Sequence, residues 1–251
     1  MTDDEFDALV TKWEDKTGNK WADEIGVGAA PTAASVPLPM WMGSMNKVKE
    51  EKDIGSWLKR NKSPGRFVVS DKLDGISCLF YWSAGQQHHQ IFTRGDGKSG
   101  TDITWLTDCI PGLTSIQSVI QQPRIHSKHV DWLFKDSLEY FIRGELVIPR
   151  ESWDAERKTT WNEYSNPRNT VAGLVSRKRS DSKKQAVALS KIHFVPFSID
   201  IKHKKKAEWM PMTKPRMFAM IDSLIKCVGS IESVYHNEVS SVDKTSLSEL
   251  L

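Results

Sequence analysis

A lysine followed two residues later by an aspartate and then a glycine, Lys72-Leu73-Asp74-Gly75, lies between two apolar runs of strand character. A lysine in such a place is ordinarily a solvated turn residue. The pattern also suits a nucleophile. An amine held at a strand edge and partly desolvated gives up its proton more readily and can attack an electrophile. On an extended backbone Asp74 projects to the same side as Lys72, where it could orient the amine or a metal. Gly75 lets the backbone approach a ligand closely. By itself, so short a pattern is unspecific.

Three further segments extend it. The stretch TRGDGKSGTDIT begins with Thr93 and places Arg94 at the entrance of a glycine-rich loop suited to phosphate or ribose. In FIRGELVIP, Arg143 and Glu145 share strand parity. A glutamate among apolar strand residues is costly to bury without a partner. It could be ion-paired to that arginine, or it could face a ribose hydroxyl or a metal. SNPRNTVAG puts Arg168 at the start of a predicted helix. Backbone N–H groups there, together with a guanidinium, favour an anion.

The elements that must position these residues can be read from periodicity. Phe6, Leu9, Val10 and Trp13 fall on one helical face within residues 1–24. The Gly-, Pro- and Ala-rich stretch over residues 26–39 reads as a linker. From Met40 onward the chain reads as one unit. KEEKDIGSWLKR is a predicted helix with Ile54, Trp57 and Leu58 as its apolar stripe. RFVVS, ISCLFYW, HHQIFTR, EYFIRGELVIP and KIHFVPFSIDI are predicted strands, with a turn at SAGQQ and a loop at GDGKSGTD. NPRNTVAGLVSRK is a turn leading into a helix. Helices and antiparallel hairpins alternate without a regular β-α-β repeat, which predicts an α+β fold.

Composition sets outer bounds. With 251 residues, 39% hydrophobic and 27% charged, the chain can bury a sizeable core. No uninterrupted apolar run exceeds five residues, so no membrane partner is expected. The acidic start MTDDEFDALV argues against a secretory or basic transit signal, which predicts an intracellular protein of the cytoplasm or nucleus. Cys78, Cys109 and Cys227 form neither a metal-spaced pair nor a disulfide framework. The net charge is only +3, but residues 176–206 hold ten bases against two acids. Such a block could neutralise nucleic-acid phosphates, serve as a nuclear-import signal, or be a solvated loop.

Taken in order, K-L-D-G, T-R-G-D-G-x-x-G-x-D-I-T, R-G-E-L-V-I-P and N-P-R-N-x-x-A-G resemble the adenylation domain of NAD-dependent DNA ligases. LPMWMGSMNKVKEEKDIGSWLKR resembles the segment before that family's nucleotidyltransferase core. DDEFDAL resembles the end of its N-terminal helical module. The resemblance implies a nucleotidyltransferase (ATP-grasp-like) core of antiparallel sheets with flanking helices, preceded by a short helical remnant. It divides the chain into a remnant of the nicotinamide-mononucleotide module (1–25), a linker (26–39) and an adenylation domain lacking its distal motifs (40–251).

The resemblance also implies roles. Lys72 matches the lysine that becomes adenylated, and Asp74 the acid that supports it. Arg94 and Glu145 match residues contacting AMP, and Ser44 and Met45 border the nucleotide. Asp3 and Asp7 match acids contacting nicotinamide mononucleotide, with Phe6 where the family has tyrosine. Ser70 stands where the family has a glutamate near adenine. Arg168 matches an arginine near the DNA backbone, and Arg177 follows one step after the family's second arginine position, here Ser176. NAD, a divalent cation (Mg2+ or Mn2+) and nicked duplex DNA are the implied cofactors and partners. Missing ligase domains would come from adjacent sequence, and the chain alone is expected to seal nicks poorly. Two other readings stay open: another lysine-dependent nucleotidyltransferase, such as an RNA ligase or capping enzyme, and a non-catalytic DNA-binding remnant.

Overall fold

A computed structural model describes residues 3–18, 35–43, 51–61, 67–84, 86, 88–121, 135, 137–177, 182–228 and 236–239. The chain separates into two compact units, residues 1–45 with 94–102, and residues 46–93 with 103–251. The secondary structure is mixed α+β with antiparallel pairing throughout, as the alternating pattern predicts.

In the first unit, helix α1 (Asp3–Thr17) carries the DDEFDAL segment. Strand β1 (Ser35–Pro37) pairs antiparallel with β5 (Ser99–Thr101), Val36 opposite Gly100. Two short strands go beyond the expected elements. β1 lies inside the stretch read as a linker, and β5 inside the one read as a loop. A three-residue ladder is too short to leave a periodic trace. The glycine-rich turn between Arg94 and Ser99 is tight. Gly95 and Gly97 adopt φ of 52° and 89°, the left-handed region open to glycine. Asp96 Oδ1 accepts from the N–H groups of Lys98 (2.8 Å) and Ser99 (2.6 Å), and these bonds hold its carboxyl below its ordinary range. Leu38 and Met42 donate backbone bonds to Lys98 and Gly97, pinning the turn along residues 38–42.

The second unit is built on a four-stranded sheet ordered β4-β3-β6-β7. Its strands are β3 (Ile76–Ser83), β4 (His89–Thr93), β6 (Leu138–Val147) and β7 (His193–His203). Alternation along each strand sends Cys78, Phe80 and Trp82, Tyr140 and Ile142, and Ile199 and Ile201 into one core. Helices α3 (Pro111–Gln121) and α7 (Lys214–Val228) pack on it through Leu113, Ile116, Val119 and Ile120, and through Met217, Phe218, Ile221 and Leu224. A 3-10 turn over Thr104–Asp108 leads into α3. Helices α4 (Arg150–Glu156), α5 (Pro167–Val175) and α6 (Ser182–Leu189) complete the region between β6 and β7. Helix α2 (Glu51–Asn61) buries Ile54, with Trp57 and Leu58 half-buried, as its apolar stripe predicts. Strand β2 (Phe67–Ser70) pairs with β8 (His236–Val239) in a separate two-stranded ladder.

The register between β6 and β7 breaks between Arg143 and Gly144. Gly144 faces Pro196, and a Cβ on Gly144 would lie 2.3 Å from the Phe194 ring and 2.8 Å from the Val195 carbonyl oxygen. Proline is tolerated there because β7 is an edge strand beside an irregular pairing. The basic block over 176–206 is not one loop. It contains α6 and all of β7.

Candidate active site

Lys72 and Asp74 lie in the irregular segment 71–74, between the end of the β2–β8 ladder at Ser70–His236 and the start of β3. The segment itself joins no ladder among the described residues, and Lys72 is exposed, not partly desolvated as expected. What fixes the segment is Gly75. It is buried, and a Cβ there would meet the Leu146 carbonyl oxygen at 2.1 Å, Val147 Cγ1 at 2.7 Å and Glu145 Cγ at 2.9 Å. The K-L-D-G turn is therefore pressed onto β6 at the R-G-E-L-V stretch, and only glycine permits that approach.

Glu145 is 7% exposed and accepts a 2.7 Å hydrogen bond from Ser77 Oγ, its opposite number on β3. Of the two alternatives open for Glu145, the ion pair with Arg143 does not form. Arg143 Nη2 instead donates to Ser198 Oγ and Asp200 Oδ2, both at 3.0 Å on β7. Ser198 lies directly opposite Arg143 and Asp200 diagonally across, within reach of its long side chain. Burial first and the Glu145 charge second push the Cys78 thiol well above its ordinary value.

Arg168 enters from helix α5. Asn166 caps that helix, its Oδ1 accepting from Asn169 N–H at 2.8 Å, with Pro167 in the first turn. The buried Thr170 hydroxyl ties the cap further, donating to the Asn166 carbonyl at 2.9 Å and accepting from Trp153 Nε1 at 2.9 Å. The cap points Arg168 at the lysine turn, and its Nη1 contacts Asp74 Oδ1 at 2.9 Å. Segments 94 residues apart in sequence thus meet. Arg177 is held by Glu163 and by the Tyr164 hydroxyl, each at 2.7 Å, and the Glu163 bond is the main reason its guanidinium is raised. Tyr164 also packs where a Cβ on Gly173 would fall, at 2.4 Å.

The structure therefore brings together K-L-D-G, R-G-E-L-V and N-P-R-N in one unit. Ser70 belongs there too, exposed at the end of β2. Arg94 belongs to the other unit, where its carbonyl accepts from Gly97 N–H at 2.9 Å. Asp3 and Asp7 lie on the backbone of α1, but their side chains fall outside what is described. Ser44 and Met45 lie outside the described residues. Among the described residues no group of three or more His, Cys, Asp or Glu is placed to hold a metal. No described helix is long and apolar enough to cross a membrane.

Sequence reasoning missed one lysine. Lys214, at the start of α7, has its ammonium held below the ordinary value, chiefly by burial and then by the Arg143 charge, with Asp200 opposing. Its sequence neighbourhood, T-K-P-R, carries no motif. Only the fold sets it beside the charged pair of β6 and β7.

Residues 33–237 match the family described as NAD-dependent DNA ligase adenylation domain. A protein of Invertebrate iridescent virus 3, named as a candidate DNA ligase, is 32% identical over 225 residues, covering 82% of this chain and 28% of its own. The DNA ligase of Acanthamoeba polyphaga mimivirus is 34% identical over 189 residues, covering 75% of this chain and 26% of its own. The DNA ligase of Campylobacter lari is 26% identical over 264 residues, covering 97% and 37%. The chain thus spans between a quarter and two-fifths of the length of these relatives.

Proposed function

The chain belongs to the NAD-dependent DNA ligase adenylation-domain family, and from that premise we propose that it forms a covalent AMP adduct on Lys72, drawn from NAD, for sealing nicks in duplex DNA. The observation that carries the reading is the meeting of Lys72-Asp74-Gly75 with Glu145 on one side and Arg168 on the other. The Lys72 amine, having lost a proton, would attack the α-phosphorus of NAD. A nitrogen–phosphorus bond forms, the bond to the bridging oxygen breaks, and nicotinamide mononucleotide leaves with that electron pair. The AMP would then pass to the 5′-phosphate of a nick, and the 3′-hydroxyl would displace it. Replication and repair of DNA are the settings that use such a step.

Each residue has a task in this reading. Asp74 orients the amine. Glu145, held by Ser77, offers a carboxylate oxygen to a ribose hydroxyl. Arg94 contacts the AMP moiety, and Ser44, Met45 and Ser70 border the nucleotide. Asp3 and Asp7 meet the nicotinamide mononucleotide half, so that residues 1–25 serve that half, 26–39 link, and 40–251 carry the adenylation chemistry. Arg168 and Arg177 would meet the DNA backbone after exchanging their present carboxylate partners. Mg2+ or Mn2+ would offset phosphate charge. Such an ion needs only one or two protein carboxylates when phosphates supply other ligands, and Asp74 and Glu145 are the candidates.

Incubating the chain with NAD labelled in its adenylate, then mapping the label, tests this. Label on Lys72 is expected, and none on Lys72→Ala or Lys72→Arg, since guanidinium is not a usable nucleophile. Label that survives these changes would overturn the assignment. Label from ATP or GTP, and none from NAD, would show another nucleotidyltransferase.

A further inference from the structure

The described bases among the ten of residues 176–206 are not equivalent once folded. Arg177 is bound to Glu163. Lys191 pairs with Glu156 at 2.8 Å. The Lys204 ammonium donates to the Ala84 carbonyl, and its backbone N–H to Ser137, so it closes the ends of β3 and β6. Lys205 and Lys206 are exposed. They sit at the tip of a hairpin in which His203 N–H donates to the Glu208 carbonyl, Ala207 N–H to the His203 carbonyl, and Met210 N–H to the Ile201 carbonyl. Ala207 adopts φ of 54°, a left-handed conformation uncommon for a residue with a Cβ. The hairpin returns the chain so that Trp209 pairs with Lys202. Trp209 is 47% exposed. Its ring is braced by Phe141 at 4.9 Å, and the Lys202 ammonium lies 5.7 Å from its centroid. Glu208 is the one acid in the hairpin, and it is exposed.

Exposed lysines beside a braced, half-exposed indole combine the two elements used to hold unpaired nucleotides. Cations meet the phosphates, and an aromatic ring offers a stacking surface to any base. We infer that the hairpin over residues 202–209 is a contact for single-stranded nucleotides, such as those of a gap or a frayed end beside the nick. The inference rests on the DNA-directed reading above. Lys205 and Lys206 take consecutive phosphates, and Trp209 takes a base. Lys191 and Lys204 serve the fold.

The test is equilibrium binding of the chain to an intact duplex, a nicked duplex and a duplex with a five-nucleotide gap, across a salt series. Lys205→Glu combined with Lys206→Glu is expected to lower the slope of log affinity against log salt by about 1.4 on the gapped duplex, and by less on the intact duplex. Trp209→Ala is expected to weaken gapped-duplex binding roughly tenfold and intact-duplex binding much less. Trp209→Phe, which keeps a ring against Phe141, should restore most of the loss and guards against a merely unfolded variant. An unchanged salt slope overturns the inference. So does equal weakening of all probes by Trp209→Ala, or parallel loss of heparin and DNA binding with no effect at Trp209, which would mark a general polyanion surface. NAD labelling of the same preparation separates the two proposals. Label without oligonucleotide binding sinks the hairpin alone, and binding without label sinks the adenylation reading alone.

Discussion

Asp74 and Arg168 were assigned separate tasks by their motifs, one beside the nucleophile and one on DNA. The fold joins them at 2.9 Å, with side chains 78% and 52% exposed. An exposed pair of this kind contributes less than about 1 kcal/mol to stability. Its value lies in positioning. While paired with Arg168, Asp74 is fixed in direction next to Lys72. Arg168→Ala should therefore leave the denaturant midpoint nearly unchanged while slowing Lys72 labelling by roughly 10²-fold, the scale seen when a reacting group is misplaced by about an ångström. Asp74→Asn should cost a similar factor, and the double variant little more than either single one, because both remove one interaction. Labelling rates that multiply independently in the double variant would show that the two residues act apart.

At the scale of elements, the lysine turn depends on how closely it can approach β6. Gly75 makes that approach. A Cβ at 2.1 Å from the Leu146 carbonyl cannot be accommodated by a side-chain shift, because the obstacle is backbone. Gly75→Ala should push the 71–75 segment off β6, cost about 1–3 kcal/mol as an overpacked site, and abolish labelling at Lys72. Chemical denaturation and NAD labelling measure the two effects. Full labelling with a lowered midpoint would show that Gly75 serves stability alone. Strands β3, β6 and β7 were legible in sequence because their apolar residues alternate or run continuously. Helices α3, α4, α6 and α7 were not identified. α3 opens with Pro111 and Gly112, which read as punctuation, and α4 has a single buried residue, Trp153.

For the molecule as a whole, the core carries a pH dependence in His89. It is 8% exposed, stacked on Phe80 at 4.8 Å, with Nε2 2.8 Å from Thr107 Oγ1. Burial lowers its readiness to take a proton, against the opposing charge of Asp108. The unfolded chain accepts a proton near pH 6.5, which folded His89 refuses until lower pH. Stability is thus fully present above about pH 6.5 and falls as pH drops below it. Denaturant midpoints measured between pH 7.5 and pH 5 should decline, and the decline should shrink in His89→Gln. An equal decline in that variant would place the titration elsewhere.

Motif order by itself determined the family and the identity of Lys72, Asp74, Glu145 and Arg168 as the residues to watch, and the alternation of helical and hairpin patterns determined the α+β class. Local chemistry sufficed, since caps, glycines and alternation act over a few residues. The helix starts beside Arg168 as N-P-R-N predicts, and Glu145 stands on a strand as its apolar neighbours predict. Only the tertiary structure decided who partners whom. Arg143 turned to Asp200 instead of Glu145, Asp74 met Arg168, and Lys214 came beside the Arg143–Asp200 pair. Among the described members of the basic block it also set apart Lys191 and Lys204, which serve the fold, from Lys205 and Lys206 at an exposed tip. The reason is geometric. Charges choose the nearest opposite charge or hydroxyl in space, and strand pairing and helix packing set that distance, not separation along the chain.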